Sequence, residues 1–517
     1  MSAVERRLQH VEGLMRKLAW TAAAVLMLGA CSQETAADNE PAGAAAPAED
    51  MAAADEGDAK IADGPVRPPL DPYPSTYKPY PGQTVLLTGA TVLTGTGERI
   101  ENGAVLIADG KISSIGEAGA VAAPDGAVTI DAKGKWITPG IIDIHSHLGD
   151  YPSPSNASTS DGNDIVSPNT AYVWAEHSVW PQDAGFTRAL AGGVTALQIL
   201  PGSANLFGGR SVVLKNVPAR TVQDMKFPGA PYGLKMACGE NPKRVYGERG
   251  GPYTRMGNMA GYRAAWIEAQ GYKKKWDDYW AKYDEWAKDD SDDKGDAPEA
   301  PARDLKLETL AAVLNGDIRV NMHCYRADEM VQVLDMAKEF GYKVTTFHHA
   351  IEAYKIADYL AENNVCAAMW ADWWGFKLEA FDTIGENAAL VHAQPGGCAI
   401  IHSDSATGIQ RLNQEAAKAM ADGRRIGVAI EPEDAIAWLT ANPAKAMGIL
   451  DQTGTLEAGK MADVVVWSGN PFSVYAQAEK VYIDGALLYD RSDPARSPRV
   501  DFELGLHDNG YTGGAGQ

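Results

Sequence analysis

Four short apolar runs in this chain each end in a residue able to hold a metal ion, and that recurrence constrains the fold more than any other feature. They are Ile141–His147, Arg319–His323, Val344–His349 and Cys398–Asp404. In a β-strand, residues two apart share a face. Asp143, His145 and His147 therefore fall on one side of the first run, with Ile142 and Ile144 on the other. Two imidazoles side by side at a strand end make half of a metal site. The later runs are followed by helix-like segments, at 327–340 and 351–362. Strand–helix alternation argues for a parallel sheet with its ligands at one end. In a (β/α)8 TIM barrel the C-terminal strand ends converge on one mouth. Eight candidate strands begin near Gly140, Val194, Ser211, Tyr232, Arg319, Val344, Val365 and Cys398, the third being the weakest.

With His145, His147, His323, His349 and the His402–Asp404 step in this order, the chain resembles the amidohydrolase superfamily of metal-dependent hydrolases. More narrowly it is similar to the imidazolonepropionase-related group, which includes lysine-bridged dipeptidases and amidases. The segments Thr440–Gly448 and Gly454–Asp463 strengthen the resemblance, which spans roughly residues 84–490. It implies one or two divalent metal ions, usually zinc. His145, His147 and Asp404 would hold the more buried ion, and His323 and His349 the other. Such an ion lowers the pKa of a bound water and polarises a carbonyl. Asp404, orienting the water and taking its proton, is the candidate catalytic base. His349 is preferred over His348 because His349-Ala matches the family's step, which makes His348 a packed or supporting residue.

The family often bridges its metals with a carboxylated lysine or a glutamate near the fourth strand. Lys235 and Glu240 both qualify here, with Lys215 a third candidate. Alternation turns Leu234, Met236 and Cys238 to one apolar face and Lys235 to the barrel interior. An unpaired interior lysine is costly unless its charge is altered, and carboxylation would alter it. His177, Arg244 and Arg326 are candidate substrate-binding residues, the arginines through charge-assisted contacts to a carboxylate. His392 and His402 are further substrate-binding candidates, with a structural role as the favoured reading.

The termini and inserts complete the domain plan. Residues 1–31 read as a signal segment: Arg16-Lys17, an apolar stretch from Leu18 to Ala30, then Leu28-Gly-Ala-Cys31, which resembles a bacterial lipobox with Cys31 lipidated. Met15 is an alternative start, and a non-lipidated signal peptide an alternative reading. Residues 32–82, rich in Ala, Pro, Glu and Asp, read as a disordered tether. Residues 83–138 and 451–495 show short strands, and by resemblance would pair into one discontinuous β-sandwich around a barrel at 139–450. An insert at 254–305 carries Tyr272, Trp276, Tyr279, Trp280 and Tyr283 at helical spacing. It is either a lid, a helix packed on the barrel side, or an oligomer contact.

The 517 residues suffice for a large barrel with accessory parts. With 46 basic and 68 acidic residues, the formal charge of −22 argues against nucleic-acid binding. Cys238, Cys324, Cys366 and Cys398 match no metal motif and read as buried free thiols, although export would permit disulfides. The expected protein is an exported hydrolase of the outer membrane or periplasm. It would touch the membrane only through its lipid anchor, with a homo-oligomer open. It would cleave an amide in a small molecule, a dipeptide or an N-acyl amino acid. The alternatives are a deaminase or cyclic-amide hydrolase, then a lactonase or phosphotriesterase, and last a non-catalytic binding lipoprotein.

Overall fold

Side-chain alternation builds the central sheet of the computed structural model, which describes residues 67–291, 293–373 and 375–496. The signal segment, Cys31 and most of the predicted tether lie outside the described residues. In chain order the strands are β1 (Val85–Leu93), β2 (Arg99–Ala108), β3 (Lys111–Glu117), β4 (Val128–Asp131) and β5 (Trp136–Pro139). Then come β6 (Ile141–Ser146), β7 (Val194–Ile199), β8 (Phe207–Lys215), β9 (Gly233–Ala237) and β10 (Arg319–His323). The last six are β11 (Val344–His348), β12 (Cys366–Met369), β13 (Ala399–Ile401), β14 (Val464–Trp467), β15 (Ala478–Ile483) and β16 (Ala486–Asp490).

Strands β6 to β13 pair in sequence order into an eight-stranded, nearly closed barrel-like sheet. The seam between β13 and β6 is bridged where Asp404 N donates to His145 O at 3.0 Å and Ser403 N to Asp143 Oδ1 at 3.1 Å. Ile142 and Ile144 turn outward into an apolar cluster with Ala444 and Met447 of the helix Ala441–Met447. That leaves Asp143 and His145 facing inward, as alternation requires.

One strand departs from the all-parallel expectation. β8 runs antiparallel to both β7 and β9. Only residues 200–206 connect β7 to β8, whereas a parallel crossover needs a dozen or more residues. The reversal places the Phe207 end of β8 at the mouth and Lys215 at the opposite end. There Lys215 is fully buried between Asp463 Oδ1 at 3.3 Å and Asp484 Oδ2 at 2.9 Å. The candidacy of Lys215 as a bridging ligand is thereby corrected: strand direction carries it away from the histidines.

The segments at the two ends of the described chain share one eight-stranded sheet in the order β16-β15-β14-β5-β1-β2-β3, with β4 alongside β1. β5 and β14, more than three hundred residues apart, pair antiparallel from Trp136↔Trp467 to Pro139↔Val464. β14 shows how this sheet is attached. Val464 and Val466 enter the sheet's own core, while Val465 and Trp467 enter the large core around the barrel.

The four cysteines predicted as free thiols are paired. Cys238 bonds Cys324 across β9 and β10, and Cys366 bonds Cys398 across β12 and β13, with Cα–Cα distances of 5.2 and 4.6 Å. Strand register dictates both pairings. Ala237 lies opposite His323, so the next residues are Cys238 and Cys324; Ala367 lies opposite Ala399, so the preceding residues are Cys366 and Cys398.

The insert forms a 34-residue helix, Arg255–Lys288, begun by Thr254, whose hydroxyl accepts from Gly257 N. Its first half packs on the barrel: Tyr262, Trp266 and Ala269 are in the large core, and Tyr262 OH donates to Ala237 O. The aromatic stripe of the second half is capped by the returning chain. Trp286 Nε1 donates to Gly295 O, and Asp304 N to Tyr272 OH.

Candidate metal centre

His145, His147, His349, His402 and Asp404 converge at the barrel mouth. The ligand atoms of His145, His147 and Asp404 all lie within 4.8 Å of one another, as do those of His145, His349 and His402. Asp404 Oδ1 is 3.3 Å from His147 Nε2 and 3.7 Å from His145 Nε2, and its Oδ2 is 3.7 Å from His349 Nε2. The His323 ring adjoins His349, with centroids 4.8 Å apart. His349 and Asp404 both adopt left-handed backbone, at φ 56° and 48°. Non-glycine residues pay for that conformation, and such strain concentrates where side chains are aimed for function.

Supporting contacts fix which ring nitrogens face the centre. His147 Nδ1 donates to Leu200 O at 2.7 Å, leaving Nε2 with its lone pair inward. His348 Nε2 donates to Asn321 Oδ1 at 3.0 Å, so its Nδ1 accepts from His145 Nδ1 at 2.8 Å. His145 then also presents the lone pair of Nε2. His348 is a supporting residue, turned away from the ligand cluster.

Burial holds the imidazoles of His145, His323, His348 and His349 well below the usual histidine range, and that of His402 down to about 3. Neutral imidazole is the ligating form. Burial opposes ionisation of Asp404, but the adjoining basic side chains of His147, His402 and Lys235 outweigh it and hold the carboxyl below its ordinary value. His323 Nδ1, His349 Nδ1 and both nitrogens of His402 are buried without a hydrogen-bond partner. Clustered imidazoles and an ionised carboxylate, with His402 lacking any hydrogen-bond partner, fit a divalent cation, which would satisfy lone pairs that otherwise carry a desolvation cost.

Lys235 reaches the same cluster from β9. Its amine lies 3.4 Å from His145 Nε2 and donates to Pro201 O at 3.1 Å. Burial pulls its pKa down to about 7, with Asp404 opposing. Glu240, the other bridging candidate, opens the helix Glu240–Tyr246 and pairs with Lys377 Nζ at 3.4 Å; it is not among the clustered ligands. Arg326 forks onto Asp328 at 2.9 and 3.3 Å on the surface. His177 is half exposed, stacked on Trp174. Arg244 lines a cavity of about 640 Å³ with Asn163, Ser203, Asn241 and Arg249, and Asn241 Nδ2 lies 3.4 Å from His323 Nε2.

The sequence reading gave two residues no place in the metal centre. His402 sits in the ligand cluster, and its signal was available: it is two residues before Asp404, the same spacing that aligns His145 with His147. Lys377 follows β12 in an irregular loop, where no periodicity marks it. Its amine donates to Asn241 Oδ1 at 3.1 Å and lies over the Tyr325 ring at 4.2 Å.

The model of the amidohydrolase family matches residues 136–488, so the chain belongs to that family, enzymes acting on carbon–nitrogen bonds whose members usually bind a divalent metal. It is 30% identical over 403 residues to the amidohydrolase tasK of Hapsidospora irregularis, covering 75% of this chain and 40% of that protein. It is 25% identical over 429 residues to the imidazolonepropionase of Rhizobium rhizogenes, covering 75% and 90%. Among solved structures, an amidohydrolase from Thermotoga maritima MSB8 aligns with a TM-score of 0.69 and 36% identity over 79% of this chain and all of that one.

Proposed function

We propose that this protein hydrolyses an amide bond in a dipeptide or N-acyl amino acid, using one or two zinc ions held by His145, His147, His323, His349, His402 and Asp404. The observation that carries the reading is the placement of one ionised carboxylate, Asp404, with its oxygens 3.3, 3.7 and 3.7 Å from the Nε2 atoms of His147, His145 and His349. Bound there, a divalent ion supplies Lewis acidity, making water nucleophilic near neutral pH and polarising a carbonyl. Asp404 orients the attacking water, accepts its proton on a carboxylate oxygen and passes it to the departing amine. Lys235, in carboxylated form, would be a further ligand to such an ion. Its depressed pKa leaves a neutral amine, the form that reacts with CO2, at physiological pH. Arg244, in the adjoining cavity, pairs with the substrate carboxylate.

The same reading places the enzyme outside the cytoplasm, lipid-anchored through Cys31. Two paired disulfides suit an oxidising compartment. A second reading, cyclic-amide hydrolysis, draws support from the similarity to imidazolonepropionase over nine-tenths of that enzyme.

Product analysis tests both. The zinc-loaded enzyme and its Asp404→Asn variant are incubated with dipeptides, N-acyl amino acids and cyclic amides. New primary amine from the linear amides, lost in the variant by about a hundredfold or more, is the expected result. Free ammonia, or ring opening alone, would sink the linear-amide reading. Turnover that survives the substitution would sink the role of Asp404.

A further inference from the structure

The loop that follows β12 carries apolar rings from the metal centre out to solvent. Trp370 comes directly after β12 and is 5% exposed. Its ring stacks on His349, with centroids 4.3 Å apart at 22°, and lies 5.2 Å from the ring of His402. Further along the loop, Trp373 stacks on Trp370 at 5.3 Å and 16°, and Phe376 meets it edge-on at 5.7 Å and 85°. Trp373 is 37% exposed and Phe376 55%. A single ring, that of Trp370, thus separates both exposed rings from the ligand cluster.

Phe376 is tied to the centre from a second side. Lys377 Nζ lies 5.8 Å from the Phe376 ring centre and donates to Asn241 Oδ1 at 3.1 Å. Asn241 Nδ2 in turn lies 3.4 Å from His323 Nε2. Two chains of contact, one ending at His349 and the other at His323, place this ring at the barrel mouth.

The wall these rings form offers carbon rather than polar atoms. The indole N–H of Trp370 donates inward, to Ser403 O at 3.2 Å. The Lys377 ammonium is committed to Asn241 and to Glu240 Oε1 at 3.4 Å. Phe376 has only ring surface to present, and Trp373 a broad indole. Single exposed apolar residues are ordinary, but rings joined in one stack beside a polar centre have the composition of a ligand site, where apolar walls bind and a few polar groups orient. An apolar group laid against them removes carbon surface from water on both partners.

We propose that Trp373 and Phe376, backed by Trp370, form the subsite for a bulky apolar side chain or acyl group flanking the scissile amide. The inference rests on the amide-hydrolase reading above and narrows it by size and polarity: substrates with an aromatic or large aliphatic group beside the amide are preferred over those with small ones. The spacing suits a group one residue long. With the amide at the ligand cluster, its neighbouring side chain need only pass Trp370 to lie against either exposed ring.

The test uses matched substrates and the zinc-loaded enzyme. L-alanyl-L-phenylalanine and L-phenylalanyl-L-alanine are each compared with L-alanyl-L-alanine, and N-acetyl-L-phenylalanine with N-acetyl-L-alanine. Wild type favours the ring-bearing member of at least one pair by about tenfold or more in kcat/KM, the scale of burying a large apolar side chain. In Phe376→Ser and Trp373→Ser that preference falls severalfold. In Phe376→Tyr, which keeps the ring, it is retained, and zinc content per chain stays at the wild-type value in all three. A preference unchanged in both serine variants overturns the proposal, and weaker self-association of those variants in sedimentation velocity would then make the rings a contact between copies. An equal loss on both members of a pair, or a loss of zinc, makes the loop a support for the ligands and also overturns it. Calorimetric titration with 3-phenylpropionate and propionate decides the subsite without turnover, because the two differ only in the ring. Binding of 3-phenylpropionate tighter by about tenfold, with the advantage lost in Phe376→Ser, supports the subsite. Equal binding of the two acids, or an advantage the variant keeps, overturns it. If no pair is cleaved while that advantage still depends on Phe376, the amide reading fails and the subsite stands.

Discussion

His348 accepts a hydrogen bond from His145 ring to ring, Nδ1 to Nδ1 at 2.8 Å, and hands its own proton to Asn321. This three-residue chain leaves His145 a single ligating nitrogen. Adjacent histidines at 348 and 349 therefore divide the work, one aiming a ligand and the other joining the ligand cluster.

Removing the aiming residue weakens the centre without touching a ligand. His348→Phe or Asn321→Ala lowers zinc affinity by about 10–100-fold. Titration against a zinc-buffered chelator reads this directly. Affinity within about twofold of wild type in both variants would show that His145 is oriented by packing alone.

The buried Lys235 amine gives the metal-free protein a characteristic pH response. Its pKa is about 7 in the fold, against 10.5 for an ordinary lysine. Between those values the unfolded chain binds a proton that the folded chain does not, so stability rises with pH across that window and the whole penalty is present below it. Lys235→Met removes the penalty. Its melting temperature exceeds that of metal-free wild type most near about pH 6, and the gap shrinks toward about pH 10. A gap independent of pH would place the charge elsewhere.

Lys215 shares burial with Lys235 but not its role. Between Asp463 and Asp484 it neutralises charge at the end of the barrel opposite the histidines. Lys215→Met leaves two carboxylates buried without their cation and costs about 3–5 kcal/mol of stability. Denaturant unfolding measures the loss, and zinc content per folded chain stays at the wild-type value. Lost zinc with intact stability would return Lys215 to the list of ligands.

The disulfide between Cys238 and Cys324 sits at the mouth end of β9 and β10, immediately after the residue pair that carries His323. Replacing both cysteines with serine costs about 2–4 kcal/mol. Thiol titration of the unfolded, non-reduced protein finds none of these four cysteines free. Four reactive thiols would refute both pairings.

Much of this was legible from side-chain periodicity. The candidate strand starts at Arg319 and Val344 coincide with β10 and β11, and those at Gly140, Tyr232, Val365 and Cys398 each fall one residue before a strand. Alternation alone put Lys235 inside the barrel. What stayed hidden depends on three dimensions. The reversed direction of β8 is a property of its short connection, not of its own residues. Cysteine pairing needs the register between strands. The pairing of Glu240 with Lys377 joins a helix start to a distant loop, and no spacing along the chain encodes it.

The pairing of β5 with β14 also imposes an order of events on synthesis. Every strand of the barrel is translated before Val464–Trp467 leaves the ribosome. Until then one edge of β5 has no neighbour, and an open edge is a template for pairing with other chains. A chain truncated between Asp404 and Val464 would retain all its metal ligands and still expose that edge, so its fate would be decided by chaperones and proteases rather than by its chemistry.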